Sequence, residues 1–352
     1  MVPSSSGLGR QVLILVTRVR LPLGPPMDSI LFQIAIFLGS IALLILAARL
    51  IIDHIIKVAQ YLRWRQFVLA FLVMSLGSAL PNLSVGISSA LKGVPELSLG
   101  NVMGNDVAIF TLVIAIAILV SNGLSIESRL VRKSAVFAVI AALLPVLLLW
   151  DGRLGRGDAV TLIVLFIVYN LWLFSKRHFI TGVMEGETEE KPGKSPLRSF
   201  HSFLKSASFV AAGVVLLIIA SEGIVRSAYF FETAFAIPLV IVGVLITGLI
   251  TALPELYFTT LASRRGNNWI ALGQVLGEVV ILSTLVIGVV ALIHPIEIED
   301  FSSLLVARFF LFLSAAFFLI FMRTGKRFSK KEGLTLAGIY VAFVVTEIFF
   351  QK

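Results

Sequence analysis

Cysteine is absent from the 352 residues, which excludes a disulfide framework and a thiolate metal site. Histidine is scarce as well. His54, His178, His201 and His294 are scattered near the ends of apolar runs, a distribution that does not build a structural zinc site. Charge is rare for a soluble chain, 14% against 58% hydrophobic residues, and the mean hydropathy is +1.00. No Gly-x-x-x-x-Gly-Lys-Ser/Thr loop occurs, nor a soluble segment long enough to hold a nucleotide, so a primary pump is excluded and no nucleotide partner is expected. What the chain has in quantity is apolar runs of spanning length, about 18 to 25 residues each. Ten can be marked off, near 29–52, 66–91, 98–121, 133–150, 158–175, 207–231, 237–262, 269–293, 304–322 and 333–350. The expected fold class is an all-α polytopic membrane protein, and no enzyme activity is expected of it.

The net charge of +9 reports topology and not nucleic acid. Twenty Lys and Arg residues follow odd-numbered spans, among them Arg129, Arg132, Lys176, Arg264, Arg265 and Arg327. Only six lie on the other side beyond the N-terminal tail: Lys92, Arg153, Arg156, Arg226, Arg308 and Lys352. The positive-inside rule then puts the richer side in the cytoplasm and both termini outside. The tail, residues 1–28, breaks the pattern with Arg10, Arg18 and Arg20 and ends in "GPP" before Met27. It is read as disordered or as an extension upstream of a protein that begins "MDSILFQ".

Sliding the sequence against itself by 173 residues aligns 77–119 with 250–292 without a gap, 15 of 43 positions being identical. The identities include Pro81 with Pro254, Gly93 with Gly266, Gly100 with Gly273 and Gly104 with Gly277, which apolar composition alone does not align. Each half holds five spans, an odd number, so the second half enters the membrane inverted. Two inverted five-helix repeats, 29–175 and 207–350, are expected, with a site at midplane between them. The stretch 176–206 is polar, carries Pro and Gly, and reads as a cytoplasmic linker. Its "EGETEE" lacks calcium-loop spacing and is taken as a solvated charge run in preference to a cation sensor.

"TALPEL" (251–256) places a proline and a carboxylate at the centre of an apolar run. Proline has no N–H and releases the carbonyl four residues back, Gly77 for Pro81 and Ile250 for Pro254. Released carbonyls at midplane suit a hard cation if they face a cavity. Ser78 with Asn82, and Thr251 with Glu255, are four apart and share a face with the break. The expected result is two oxygen clusters meeting across a pseudo-twofold axis, a donor set for Na+ or Ca2+. A buried glutamate costs at least about 2 to 3 kcal/mol on insertion scales. Glu255 is therefore read as an ion-pathway residue, the competing reading being a protonated acid bonded to a neighbouring helix.

Downstream, "GNVMGNDV" (100–107) and "GQVLGEVV" (273–280) each carry glycines four apart, a helix-packing signal at Gly100, Gly104, Gly273 and Gly277. Asn101 with Asn105, and Gln274 with Glu278, lie one turn apart, and Asn105 and Glu278 occupy equivalent positions expected to face one cavity. Asp106 lies about 100° further round, and a helix-start or supporting role stands level with direct ligation. Ser84, Ser88, Thr259 and Thr260 are expected to bond to their own helix backbone. Glu222 and Arg226 are expected to pair, and Glu347 to snorkel to the last helix end.

"GSALPN…KG…LGNVMGND" and "TALPEL…RRG…ALGQVLGE" resemble the two alpha repeats of the calcium/cation antiporter superfamily, the sodium/calcium exchanger group. The resemblance covers about residues 29–350. It implies ten helices, alternating access, and exchange of Ca2+ against Na+, K+ or H+, with no cofactor and with membrane lipid and inorganic cations as the partners. The family pattern Gly-Thr-Ser-x-Pro-Glu is altered. Asn82 replaces the first glutamate, and Ala79 and Ala252 replace both serines. Downstream, Asn105 and Glu278 stand at serine positions, with Ile109 and Leu282 at the last polar positions. Glu255, Thr251 and Ser78 carry over. Glu255 and Glu278 give a charge of −2, enough for one divalent ion or two protons, and two acids in one cavity favour proton coupling. The reading is a Ca2+ antiporter driven by Na+ or H+ in a prokaryotic cytoplasmic membrane. Its alternatives are a transporter of another solute on this scaffold and a non-transporting partner-binding protein. Monomer and homodimer stay open.

Overall fold

In the computed structural model, residues 30–61, 77–126, 129–175, 196–235, 237–266, 268–298, 304–325 and 327–350 are described. The expected tail 1–28 and the first part of the linker, 176–195, lie outside them, as does the first part of the second apolar run, 66–76.

The described chain is helical, because a polar backbone crossing lipid must satisfy its hydrogen bonds within each segment. The helices are α1 (Ile30–Tyr61), α2 (Gly77–Leu91), α3, α4 (Arg129–Leu148), α5 (Arg156–Ser175), α6 (Pro196–Phe235), α7, α8, α9 (Leu305–Thr324) and α10 (Lys330–Phe350). Three of them are compound. α3 runs as Pro95–Ala108, a π-helical turn Ile109–Val113, and Ile114–Val120. α8 repeats that plan as Asn268–Val280, a π-helical turn Ile281–Val286, and Ile287–Ile293. α7 is Leu239–Ile241, a π-helical turn Val242–Thr247, Gly248–Thr251 and, after a break at Ala252, Leu253–Arg264. Nine of these are long and apolar enough to cross a membrane, and the described part of α2 is a shorter apolar helix, Ala79–Leu91.

The two halves are inverted repeats, and short strands tie them together. β1 (Leu124–Ser125), which follows α3, pairs antiparallel with β4 (Arg327–Phe328), which follows α9. β2 (Arg153–Leu154), which follows α4, pairs with β3 (Ile296–Glu297), which follows α8. Each half thus donates one strand to a clasp at each end of the bundle.

Packing divides the molecule in a second way. α1 and α6 lie along one another and, with edges of α2 and α7, close one apolar cluster that includes Phe37, Leu44, Ile51, Ile224 and Phe231. The remaining helices close a larger one around Phe110, Ile114, Leu276, Phe318 and Phe343. α6 is 40 residues, about 60 Å, and outruns the hydrocarbon core, which is about 30 Å thick.

Three expectations change here. The segment 196–206, expected as linker, is helical from Pro196, where a proline at the first helical position costs no hydrogen bond. Glu222 pairs with Lys92 at the end of α2, Nζ to Oε1 2.5 Å, and not with Arg226 on its own helix. Glu347 does not snorkel. It is 1% exposed and continues the buried stripe Leu336, Tyr340, Phe343 of α10.

Candidate functional site

The site is built on the breaks and π-helical turns of α2, α3, α7 and α8. Around Pro254 the helix stops at Thr251, passes through Ala252 (ψ −9°) and restarts at Leu253, because the proline cannot donate to Ile250. The Ile250 carbonyl accepts a backbone N–H at that break, so one of its two lone pairs is used. Pro81 lies inside α2, whose described part begins at Gly77. The side chains of Gly77's neighbour Ser78 and the helix before it are outside the described residues.

α3 is held close to α7 by its glycines. A Cβ at Gly100 would lie 1.9 Å from the Val240 carbonyl oxygen, and one at Gly104 2.0 Å from that of Val244. No side chain fits there, and the approach carries Asn101 and Asn105 against the second repeat. Gly273 differs from this expected packing role, being exposed with nothing within 4 Å of its Cβ position among the described residues. Residues 67 and 71, which the repeat offset relates to Val240 and Val244, lie outside the described residues. Gly277 stands one turn further along α8, beside Glu278.

Between the repeats a polar network forms. Asn101 donates its Nδ2 to Asn82 Oδ1 at 2.6 Å, and Thr251 donates its hydroxyl to Asn101 Oδ1 at 3.2 Å, so the second repeat reaches into the first. The carboxyls of Glu255 and Glu278, one from each broken-helix motif of the second repeat, are close enough to interact. All of Asn82, Asn101, Asn105, Glu255 and Glu278 are at most 1% exposed. Asn105 makes no hydrogen bond through either its oxygen or its nitrogen, and Asn82 Nδ2 has no acceptor. A buried amide left unbonded carries a penalty of about 1–3 kcal/mol and calls for a ligand.

Asp106 is not at a helix start. It lies near the end of Pro95–Ala108, 1% exposed, and accepts a hydrogen bond from Ser283 of the opposite repeat. Ser283 sits in the π-helical turn of α8, where the extra residue per turn swings a side chain off the α-helical face. No repeat match marks it, since Phe110 stands at the equivalent position in the first half. Thr111 and Thr284 were legible, being identical across the repeats, and each bonds back to the carbonyl four residues earlier inside its π-helical turn.

Three of the four hydroxyls expected to bond their own helix, Ser84, Thr259 and Thr260, do not follow that rule. Ser84 donates across to the Leu217 carbonyl of α6 at 3.1 Å. Thr259, Thr260 and Ser263 make no hydrogen bond. Glu255, Thr259 and Ser263 follow one another at one-turn spacing on the buried face of α7. In the first repeat the offset relates Thr259 to Gly86 and Ser263 to Ala90, so this polar stripe belongs to one half alone.

Pro81, Pro254, Thr247 and Thr251 border one cavity with Ile41 and Ile224, of about 10 Å3. That volume is at the limit for a single water, so the space between the α1–α6 pair and the broken helices is closed in this conformation.

The sequence profile described as "Sodium/calcium exchanger protein" matches residues 32–175 and 205–349. The chain is 24% identical over 284 residues to inner membrane protein YrbG of Escherichia coli (strain K12), covering 79% of this chain and 85% of that one. It is 23% identical over 338 residues to sodium/calcium exchanger MaX1 of Methanosarcina acetivorans, covering 83% of this chain and 93% of that one. Among solved structures, the sodium-calcium exchanger NCX_Mj superposes with a TM-score of 0.58 at 19% identity, over 90% of this chain and 99% of that one, which shows the shared fold. With two matched segments that together span both repeats, the chain belongs to the sodium/calcium exchanger protein family.

Proposed function

We propose that the chain is a secondary-active antiporter that exchanges Ca2+ for Na+ or H+ by alternating access, with the cation held between the repeats at midplane. One observation carries this reading: two interacting, fully buried carboxyls, Glu255 and Glu278, together with a fully buried amide, Asn105, that has no hydrogen-bond partner among the described residues. Asn82 and Thr251 supply further oxygens, with Ser78, the Gly77 carbonyl and the remaining lone pair of Ile250 as candidate ligands on the broken helices. Family membership and the name of the relative from Methanosarcina acetivorans support the choice of ions.

The charge arithmetic favours a divalent substrate. Two ionised carboxylates match one Ca2+, which takes oxygen ligands in flexible geometry. Two buried carboxyls this close favour holding a proton when no cation is bound, and a divalent cation between them needs both ionised, so binding Ca2+ releases protons. That is the chemical basis for H+ as a counter-ion beside Na+. The distribution of loop cations supports a cytoplasmic face at the ends of α7 and α9, with both termini outside, in a prokaryotic cytoplasmic membrane.

The test is radiolabelled Ca2+ uptake into proteoliposomes under an imposed Na+ or H+ gradient, with wild type, Glu255→Gln and Glu278→Gln compared. Uptake driven by one gradient and lost in both variants supports the reading and names the counter-ion. No uptake under either gradient from folded protein, or uptake untouched in both variants, overturns it.

A further inference from the structure

A cavity of about 570 Å3 lies at the end of the bundle where α3 and α7 finish. Its polar lining comes from Ser121 and Asn122 of the first repeat and from Ser263, Arg264, Asn268 and Arg327 of the second. Among the described residues it is lined by two guanidiniums and no carboxylate.

The opposite clasp provides an internal control. In β2–β3, Arg153 stands across from Glu297 and its Nε meets Oε1 at 3.1 Å. In β1–β4 the residue across from Arg327 is Ser125. Lys92, at the end of α2, has Glu222. Its repeat equivalent is Arg265, and neither that residue nor Arg264 or Arg327 has a carboxylate partner among the described residues. Lys92 and Arg153 at one end thus have carboxylate partners, and Arg264, Arg265 and Arg327 at the other have none among the described residues.

The open end is also shaped. Arg327 donates an Nη2 hydrogen bond to the Asn122 carbonyl at 2.9 Å. Gly123, at φ +112°, lets it lie there, since a Cβ would come 2.7 Å from Arg327 Nε. Ser263 lines the cavity 3% exposed, with a hydroxyl that has no partner. Asn268 begins the 13-residue first segment of α8 and brings its N-terminus to the cavity, while α3 and α7 bring their C-termini, so the positive charge of the cavity comes from Arg264 and Arg327.

We propose that this cavity binds a phosphate group, with Arg264 and Arg327 as charge partners and Ser263 as a neutral donor. Planar guanidiniums suit phosphate oxygens, and the volume lies within the range of about 300–1,000 Å3 usual for small-ligand sites. The lining comes from both repeats, so the bound phosphate ties them together at this end. The phosphate belongs either to an anionic phospholipid headgroup or to a free phosphate in solution. The inference does not rest on the cation reading: Ser263 ends the stripe below Glu255, but the charge partners Arg264 and Arg327 lie outside it, so phosphate binding is tested apart from Glu255 and Glu278.

The experiment uses the full chain, delipidated in detergent, with inorganic phosphate as the soluble probe at constant ionic strength and thermal unfolding as readout. A second arm measures retention of phosphatidylglycerol against phosphatidylcholine by native mass spectrometry. Saturable stabilisation by inorganic phosphate, weakened at least about tenfold in Arg264→Gln and Arg327→Gln and less in Ser263→Ala, supports a soluble ligand. Retention of phosphatidylglycerol alone, lost in the same variants, supports the lipid source. No binding in either arm, or wild-type binding in both arginine variants, overturns the proposal. Should Arg327→Gln disturb the clasp and fail to fold, Arg264→Gln decides, since Arg264 is exposed at a helix end.

Discussion

Ser283 of the second repeat donates its hydroxyl to the carboxylate of Asp106 in the first, 177 residues away. Both are at most 1% exposed, and the bond joins the two halves beside the π-helical turns of α3 and α8. Asp106 Oδ1 has no partner, so Ser283 is the donor that stabilises this buried group. Ser283→Ala is expected to lower stability by about 1–3 kcal/mol, the scale for leaving one buried partner of a hydrogen bond unpaired. Asp106→Asn is expected to cost less, since the amide can still accept from Ser283. Thermal unfolding of the two single variants and the double variant checks this, and additive effects would remove the proposed coupling.

Glu255 and Glu278 act on one ion in the proposed mechanism, so their variants are expected to be non-additive. Each single change to Gln should reduce Ca2+ uptake at least about a hundredfold, and the double variant should be hardly worse. Uptake rates at saturating Ca2+, with folding checked by gel filtration, decide it. A double variant that multiplies two modest losses would place the carboxyls at separate sites.

Gly100 and Gly273 are identical by sequence alignment and different by packing. Gly100→Ala puts a methyl 1.9 Å from the Val240 carbonyl oxygen and is expected to destabilise by about 3 kcal/mol or more. Gly273→Ala meets nothing within 4 Å among the described residues and is expected to be neutral or stabilising by up to about 1 kcal/mol. Urea or thermal unfolding in one detergent compares them directly. Equal losses would show that Gly273 is packed after all.

Thr259 carries a buried hydroxyl with no partner, so Thr259→Val keeps the shape and removes an unpaired group. Stability is expected to rise or hold, by contrast with Thr284→Val, which removes a bond to the Val280 carbonyl. If the stripe below Glu255 serves ion passage, Thr259→Val also slows uptake several-fold without loss of stability. Melting temperature and initial uptake rate, measured on the same preparations, separate the two effects.

Much of the site was legible because the repeat could be read without knowing the fold. The offset that aligns Pro81 with Pro254 also marks Asn82, Glu255, Asn105 and Glu278 as counterparts, and matching breaks imply matching backbone geometry. Ser283 escaped this reading, since nothing in the first repeat mirrors it and its bond crosses between halves. Thr259 and Thr260 were misread for a different reason. Backbone bonding is the usual fate of a helical hydroxyl, and whether a given one adopts it depends on neighbours brought by other helices.

The sequence alone determined the membrane-spanning class, the number of apolar runs, the inverted repeat and the pairs of polar residues at its breaks. These follow from local hydropathy and from internal self-similarity, which need no knowledge of distant contacts. Only the tertiary structure decided that Glu222 answers Lys92 and not Arg226 and, among the described residues, that Gly100 packs where Gly273 does not and that Arg327 has no counterpart of the carboxylate beside Arg153. Each of these depends on which surfaces the helices present to one another. Two halves with the same local pattern meet different neighbours, and the chemistry of each position is set by that neighbour.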